Sequence, residues 1–278
     1  MKIDKDTKLY FSVSSRPGNF GAKLYNKAFE YYGINAIYKP IKLDPTPASS
    51  RFGYFYSFVR GLSVMGASGL SVSMPFKKEV LGYKFDYLDD AVKKIRNGNT
   101  IVFEDTNVPG EKQSIPHACY NTDWLGFRNS CKPLLDECNY VLIYGRGAVS
   151  DSISHALESI GKPYFVVDRT NPQALVDEFY LGNIDKRMLI NATPIGMEGI
   201  SDDVFTEQVL ENFDYVFDVV VKSETNLTSL CKKTNKKYVG GWKMSLEQLK
   251  EQFRIYMGLD FPHISEFSKE LSSMGIEV

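Results

Sequence analysis

An excess of charge of either sign is missing: 33 Lys and Arg stand against 34 Asp and Glu in 278 residues, a formal net charge of −1. That balance gives no net-charge bias towards nucleic acid or an acidic membrane. Cysteine and histidine are scarce, at four and three. Cys119, Cys131, Cys138 and Cys231 form no CxxC pair, and His117, His155 and His263 have no ligand spacing with them, so no zinc signature is present and no metal is expected. No disulfide framework is implied, and four reduced thiols are expected in a cytoplasmic protein. Residues 1–9 are charged and carry no apolar core of a secretory signal. No run approaches the roughly 20 apolar residues of a membrane helix. Internal repeats and low-complexity segments are also lacking. What is abundant is apolar and aromatic material: 43% hydrophobic residues, with 18 Phe and 17 Tyr. This supports real cores, and the length corresponds to roughly two domains at about 150 residues each.

Strand-like and helix-like segments alternate. Short apolar segments at 9–14, 36–42, 69–74 and 100–104 read as strands. The segments 21–32, 50–65 and 87–95 carry helical spacing, and 105–116 is a polar loop or hairpin tip. A second unit starts near Cys131. It has a compact strand at 140–144, a turn, and a helical stripe of Val149, Ile153, Ala156, Leu157 and Ile160. The next strand, 163–168, completes a βαβ unit. Further buried strands are expected at 188–191 and 215–221, and a helix at 245–257. The whole predicts an α/β protein.

Chemistry gathers in a few places. Gly145-Arg-Gly-Ala-Val-Ser150 occupies the strand-to-helix turn, where glycine lets the backbone approach a pyrophosphate and the helix start offers free N–H groups. Ser150 replaces the third glycine of the GxGxxG fingerprint. An ordinary tight turn is the competing reading. Asp168-Arg-Thr170 ends the following strand, where the adenosine ribose is expected. Asp168 favours a ribose 2′-hydroxyl and Arg169 a 2′-phosphate, so NAD and NADP both remain open. In the first half, Ser71-Val-Ser-Met-Pro-Phe-Lys77 delivers a lysine from a strand end, and Tyr120-Asn-Thr-Asp123 precedes an apolar stretch. A Lys and an Asp brought together across a cleft form a proton-transfer pair. Spacing alone leaves both as ordinary surface residues.

These segments occur in the order found in shikimate dehydrogenases, and the resemblance covers nearly the whole chain. The family's Asn-Val-Thr-x-Pro-Phe-Lys resembles the segment ending in Lys77. Its Ala-Val-Asn-Thr-Ile resembles Asn97-Gly-Asn-Thr-Ile101, and its Tyr-Asn-Thr-Asp-x-x-Gly matches residues 120–126. The Gly-Ala-Gly-Gly-Ala turn resembles Gly145, Arg146, Gly147, Ala148 and Val149, and Asn-Arg-Thr resembles Asp168, Arg169 and Thr170. Asn-Ala-Thr-Pro-x-Gly-Met matches 191–197, and the late Gly-x-x-Met-x-x-x-Gln matches 241–248.

The resemblance implies a substrate-binding catalytic domain at 1–128, a Rossmann-like NAD(P)-binding domain at 129–240, and C-terminal helices at 241–278 packing back on the first. Lys77 and Asp123 would be the catalytic pair. Ser73, Asn99, Asp123 and Gln248 would hold the polyol, and Thr193, Val219 and Gly241 would join the cofactor set. The implied activity is hydride transfer between NADP or NAD and a hydroxyl of a cyclic polyol acid (shikimate, quinate or a relative), a step of aromatic amino acid biosynthesis.

Departures from the family cluster around the substrate. The serines of its carboxylate-binding loop fall on Asn19 and Gly21, leaving Ser12, Ser14, Ser15 or Arg16 as replacements. A family asparagine becomes Ser71, a tyrosine becomes Val221, and Lys243 enters the late glycine motif. The chain thus resembles a divergent branch. A non-catalytic nucleotide- or metabolite-binding protein on the same scaffold is the alternative, and another amino-acid or folate-type dehydrogenase of this layout is a third. Tyr54, Phe55, Tyr56 and Phe58 wrap more than one face of a predicted helix, which leaves monomer and homodimer open.

Overall fold

Alternating apolar and polar residues make β1 (Lys8–Ser14) a two-faced strand. Leu9, Phe11 and Val13 enter an apolar cluster with Leu70, Val72, Phe55 and Val59, while Tyr10, Ser12 and Ser14 alternate with them. The computed structural model describes residues 3–106, 113–177, 184–201 and 203–276. The chain divides into two compact units, Met1–Thr122 with Leu249–Val278, and Asp123–Gln248.

The first unit holds a six-stranded mixed sheet. Its strands are β1, β2 (Ala36–Lys42), β3 (Ala67–Val72), β4 (Tyr87–Leu88), β5 (Thr100–Asp105) and β6 (Ser114–Tyr120), in the order β2-β1-β3-β5-β6-β4. β1 runs parallel to β2 and β3, while β5 is antiparallel to both its neighbours. Pro40 is tolerated in β2 because that strand is an edge. Helices α1 (Phe20–Tyr32), α2 (Arg51–Val64) and α3 (Asp90–Ile95) flank the strands. The expected helix at 87–95 is corrected: Tyr87 and Leu88 pair with β6, and the helix begins only after Asp89. The Asp89 side chain fixes that start by accepting from the Val92 N–H at 2.6 Å. Of the expected loop 105–116, residues 114–116 belong to β6, and 107–112 lie outside the described residues.

The second unit is a five-stranded, wholly parallel sheet. Its strands are β7 (Tyr140–Tyr144), β8 (Tyr164–Val167), β9 (Arg187–Asn191), β10 (Tyr215–Asp218) and β11 (Lys237–Gly240), ordered β11-β10-β9-β7-β8. A parallel sheet covered on both faces needs continuous apolar strands, and Val141-Leu-Ile and Met188-Leu-Ile supply them. Alternate residues feed two clusters. Val141, Ile143, Met188 and Ile190 pack with α4 (Asp123–Glu137) and α5 (Ala148–Ser159). Leu142, Leu189 and Val216 pack with α6 (Glu207–Leu210) and α7 (Asn226–Lys233).

The two compact units divide at Thr122/Asp123 and Gln248/Leu249. The first division stands at the start of α4, which runs unbroken through Pro133. Burying Phe127, Leu134 and Leu135 gives roughly 5–9 kcal/mol at about 1.5–3 each, which outweighs a cost of about 3 kcal/mol for an interior proline. The last long helix, α8 (Gly241–Met257), starts before the expected 245 and contributes Met244 to the second unit's core and Phe253 to the first unit.

All four cysteines are free and buried. Burial pushes the thiols up, that of Cys231 to about 12. A thiol raised in this way carries little thiolate, the reactive form. Dithionitrobenzoate at about pH 8 is expected to titrate no cysteine of the native protein on the timescale in which all four react in denaturant. A native thiol reacting at the denatured rate would contradict this burial. Among the described residues, no helix is long and apolar enough to cross a membrane, and no group of three His, Cys, Asp or Glu could hold a metal.

Candidate active site

In the first unit, one end of the sheet gathers most of the expected substrate residues. β1 and β3 end side by side, so the Ser73 N–H donates to Val13 O at 2.9 Å and the Ser14 hydroxyl to Met74 O at 3.1 Å. β5 begins there in the opposite direction. The Val72 N–H reaches Asn99 O at 2.7 Å, and the Gly98 N–H reaches Lys77 O at 2.9 Å. This brings the Ser14, Ser73, Lys77 and Asn99 segments together by backbone bonding. Lys77 is 7% exposed and Asn99 is 0% exposed. The Asn99 side chain accepts from the Thr122 N–H at 2.8 Å and donates to Thr122 Oγ1 at 3.0 Å. Ser14 is buried, and its hydroxyl also accepts from the Arg16 N–H at 3.1 Å, so it builds the turn after β1. Ser73, Arg16 and Asn19 are exposed. Asn19 precedes α1 without a side-chain cap bond.

Gln252 was not foreseen. It is 3% exposed and bridges the same segments. Its Nε2 donates to Asn99 O at 3.2 Å and Thr100 Oγ1 at 2.9 Å, while its Oε1 accepts from Ser71 Oγ at 3.1 Å. Tyr25 and Tyr256 complete the cluster around it. Burial pushes the phenols of Tyr10 and Tyr38 up to about 12 and holds those of Tyr25 and Tyr256 well above the usual range, so these hydroxyls stay protonated. A glutamine amid Leu249 and Phe253, one turn after Gln248, was the available signal: a polar residue in an apolar helical stripe that buries must find partners.

In the second unit, Asp123 opens α4 and is 0% exposed. Gln248, on α8, is half-buried. The turn after β7 is as expected. Gly145 has φ +122, and Gly147 precedes α5 with an extended backbone. A Cβ on Gly145 would lie 2.7 Å from Thr193 Cγ2, so this turn packs directly on the loop after β9. β8 lies on one side of β7 and β9 on the other, which makes the carboxyl ends of β7 and β9 the switch point where open parallel sheets bind ligands. Ala148 and Val149 are half-buried at the start of α5, Arg146 is exposed, and Thr193 and Gly241 are buried.

Asp168, expected at the ribose, closes a turn with Thr170. Its Oδ1 accepts from the Thr170 N–H at 2.9 Å and the Thr170 hydroxyl at 2.8 Å. Those bonds, with Arg146 and Arg169 nearby, hold the carboxyl below its ordinary range. The Arg146 guanidinium also donates to Val166 O at 2.8 Å. Val219 is half-buried, Val221 is exposed, and Lys243 is exposed with its Nζ 5.6 Å from the Trp242 ring centroid. On α2, Phe55 is buried whereas Tyr54 and Tyr56 are exposed.

A mixed-sheet α/β unit joined to a parallel α/β unit with a glycine turn at its switch point defines a two-domain protein with a Rossmann-like fold. The model of the shikimate dehydrogenase substrate binding domain matches residues 20–101. Shikimate dehydrogenase (NADP(+)) of Aquifex aeolicus is 30% identical over 250 residues, 86% of either chain. A shikimate dehydrogenase-like protein of Haemophilus influenzae is 26% identical over 91% of this chain and 92% of its own. The crystal structure of the Aquifex aeolicus shikimate dehydrogenase superposes with a TM-score of 0.76 at 25% identity, over 95% of this chain and 98% of that one. The chain belongs to the shikimate dehydrogenase family, whose members are nicotinamide-dependent oxidoreductases.

Proposed function

We propose that this protein transfers hydride between NADP and a ring hydroxyl of a cyclic polyol acid, shikimate or a close relative. The observation that carries the reading is the Gly145 turn packed on Thr193 at the switch point of the parallel sheet. The residues fit a dinucleotide. Beyond its chain neighbours, nothing lies within 4 Å of where a Cβ on Gly147 would stand, which leaves room for a pyrophosphate against the first N–H groups of α5. When bound, the dinucleotide supplies the hydride acceptor or donor. Lys77 takes the hydroxyl proton in oxidation and returns it in reduction, with Asp123 as its acidic partner. Asn99, Ser73 and Gln248 bind hydroxyls, and Arg16 holds the carboxylate in place of the family's serines. Several placed polar groups suit such a substrate, since each buried hydroxyl left unpaired costs about 1–3 kcal/mol.

NADP is favoured over NAD because Asp168 is engaged by its own turn, while Arg146 and Arg169 place positive charge beside it. The test is nicotinamide reduction with shikimate and with quinate, each against NADP⁺ and NAD⁺. The expected result is turnover with a preference for NADP⁺. R169A and R146A are each expected to lower the NADP⁺ to NAD⁺ ratio of kcat/KM by about tenfold, the loss of one charge-assisted bond to phosphate. A preference for NAD⁺ in the wild type would make Asp168 the deciding residue. A flat trace in all four pairings would overturn the substrate assignment.

A further inference from the structure

At the carboxyl end of β10 stands an acidic residue that the roles above leave unused. Asp218 is 1% exposed, and both of its carboxyl oxygens act as acceptors. Oδ1 accepts from Asn191 Nδ2 at 2.9 Å and from the Val220 N–H at 3.1 Å, and Oδ2 accepts from the Thr225 hydroxyl at 2.6 Å. Each partner leads to a different piece of the site. Asn191 ends β9, and its Oδ1 accepts from the Thr193 N–H at 3.1 Å and the Thr193 hydroxyl at 2.6 Å. Thr193 Oγ1 in turn accepts from the Ile195 N–H at 3.1 Å. Val220 follows Val219 on the loop after β10. Thr225 caps α7 and accepts from the Thr228 N–H at 3.2 Å.

The chain of bonds therefore runs from Asp218 through Asn191 to Thr193, the residue that packs on Gly145. We propose that Asp218 is a positioning residue of the dinucleotide site. It locks the ends of β9 and β10 so that the Thr193 loop stays seated on the glycine turn. An apolar residue at 218 would leave the Asn191 amide without this acceptor inside a dry sheet end. That amide would keep its bond to Ile195 O at 3.0 Å but lose the acceptor of its other N–H, so Thr193 would be held less firmly. The loop has an independent tie in Lys222 Nζ, which donates to Gly196 O at 2.9 Å, so loss of Asp218 loosens the loop without detaching it.

The proposal rests on the dinucleotide reading, and its test is made on binding rather than turnover. The dissociation constants of NADP⁺ and NADPH are measured by calorimetry on the full chain, wild type and variants, alongside amide hydrogen exchange without ligand. D218A is expected to weaken both ligands by about tenfold or more and to speed exchange at Thr193 and Ile195, while the β7 amides stay protected. D218N keeps the Oδ1 acceptor, and the Thr225 hydroxyl can turn to accept from its amide, so binding within about threefold of wild type is expected. A role in stability alone would lower the melting temperature of D218A and leave both dissociation constants unchanged, which would overturn the proposal. D218N binding as weakly as D218A would also overturn it, because the acceptor geometry would then not be what matters. Should D218A fail to fold, N191A cuts the same tie from the other side, and wild-type affinity in that variant would be equally fatal. A wild-type protein that binds neither nucleotide defeats the dinucleotide reading itself, before any variant is compared.

Discussion

Lys77→Ala is expected to lower kcat by about 10²- to 10⁴-fold, the range that a positioned proton-transfer group contributes. The dissociation constant of the dinucleotide should hold, because the glycine turn and its neighbours belong to the other compact unit. Lysine suits this role because its ammonium can give up a proton in the cycle. Arginine keeps the charge but does not deprotonate in proteins. Lys77→Arg therefore separates two explanations. A residue needed only to attract the substrate's carboxylate would tolerate arginine, while a proton carrier would not. Lys77 lies just beyond β3, is nearly buried, and has its own carbonyl fixed by the Gly98 N–H, so the backbone that aims it is rigid. Initial rates with shikimate and NADP⁺ decide the matter. Retention of more than about a tenth of wild-type turnover in Lys77→Arg would remove the proton role.

The parts of this molecule that could be read along the chain are those whose cause is local. The β7 strand, the Gly145 turn and the stripe on α5 depend on periodicity and on glycine chemistry within one short stretch, and they stand where expected except for Ile160, which follows the helix end and is exposed. The short pair Tyr87 and Leu88 was lost in helical spacing, since two residues carry no period of their own and their strand identity comes from β6. That α4 runs through Pro133 depends on the apolar residues it buries, Phe127, Leu134 and Leu135, whose partners lie on strands far along the chain. Asn99, Lys77 and Ser73 were named from the motifs that carry them. The bonds that surround them came from lateral partners far along the chain. Gln252 reaches Asn99 across 153 positions. Asp218 and Asn191 had a faint signal, a polar residue ending each of two apolar strands, but their meeting depends on strand order, which no local pattern contains. At Asp168 the motif named the residue, while the bonds of its Oδ1 to Thr170 are a detail of the turn that the motif does not contain.

The two glycines of the turn are expected to fail differently, although one fingerprint contains both. Gly145→Ala places a Cβ 2.7 Å from Thr193 Cγ2 and 3.0 Å from Ala192 O, at a φ of +122 that L side chains rarely adopt. Thr193 cannot swing aside cheaply, because its hydroxyl donates to Asn191 and accepts from the Ile195 N–H. Strain and overpacking each cost about 1–3 kcal/mol, so the variant should lose roughly 2–6 kcal/mol of stability even without ligand. Its dinucleotide affinity should fall with it, since the turn and the Thr193 loop move together. Gly147→Ala meets nothing within 4 Å beyond its chain neighbours, and its backbone, with φ −107 and ψ 179, is open to any residue. Reduced freedom of the unfolded chain gains about 0.4–1 kcal/mol, and a poorer helix cap gives back a similar amount, so ligand-free stability should change by less than about 1 kcal/mol. The new methyl instead stands where the phosphates are expected against the α5 start. Affinity for NADP⁺ should therefore fall by about tenfold or more while the melting temperature stays put. Melting curves with and without NADP⁺ give both quantities at once. Gly147→Ala with unchanged affinity would mean that the open space beside that glycine is not where the dinucleotide lies.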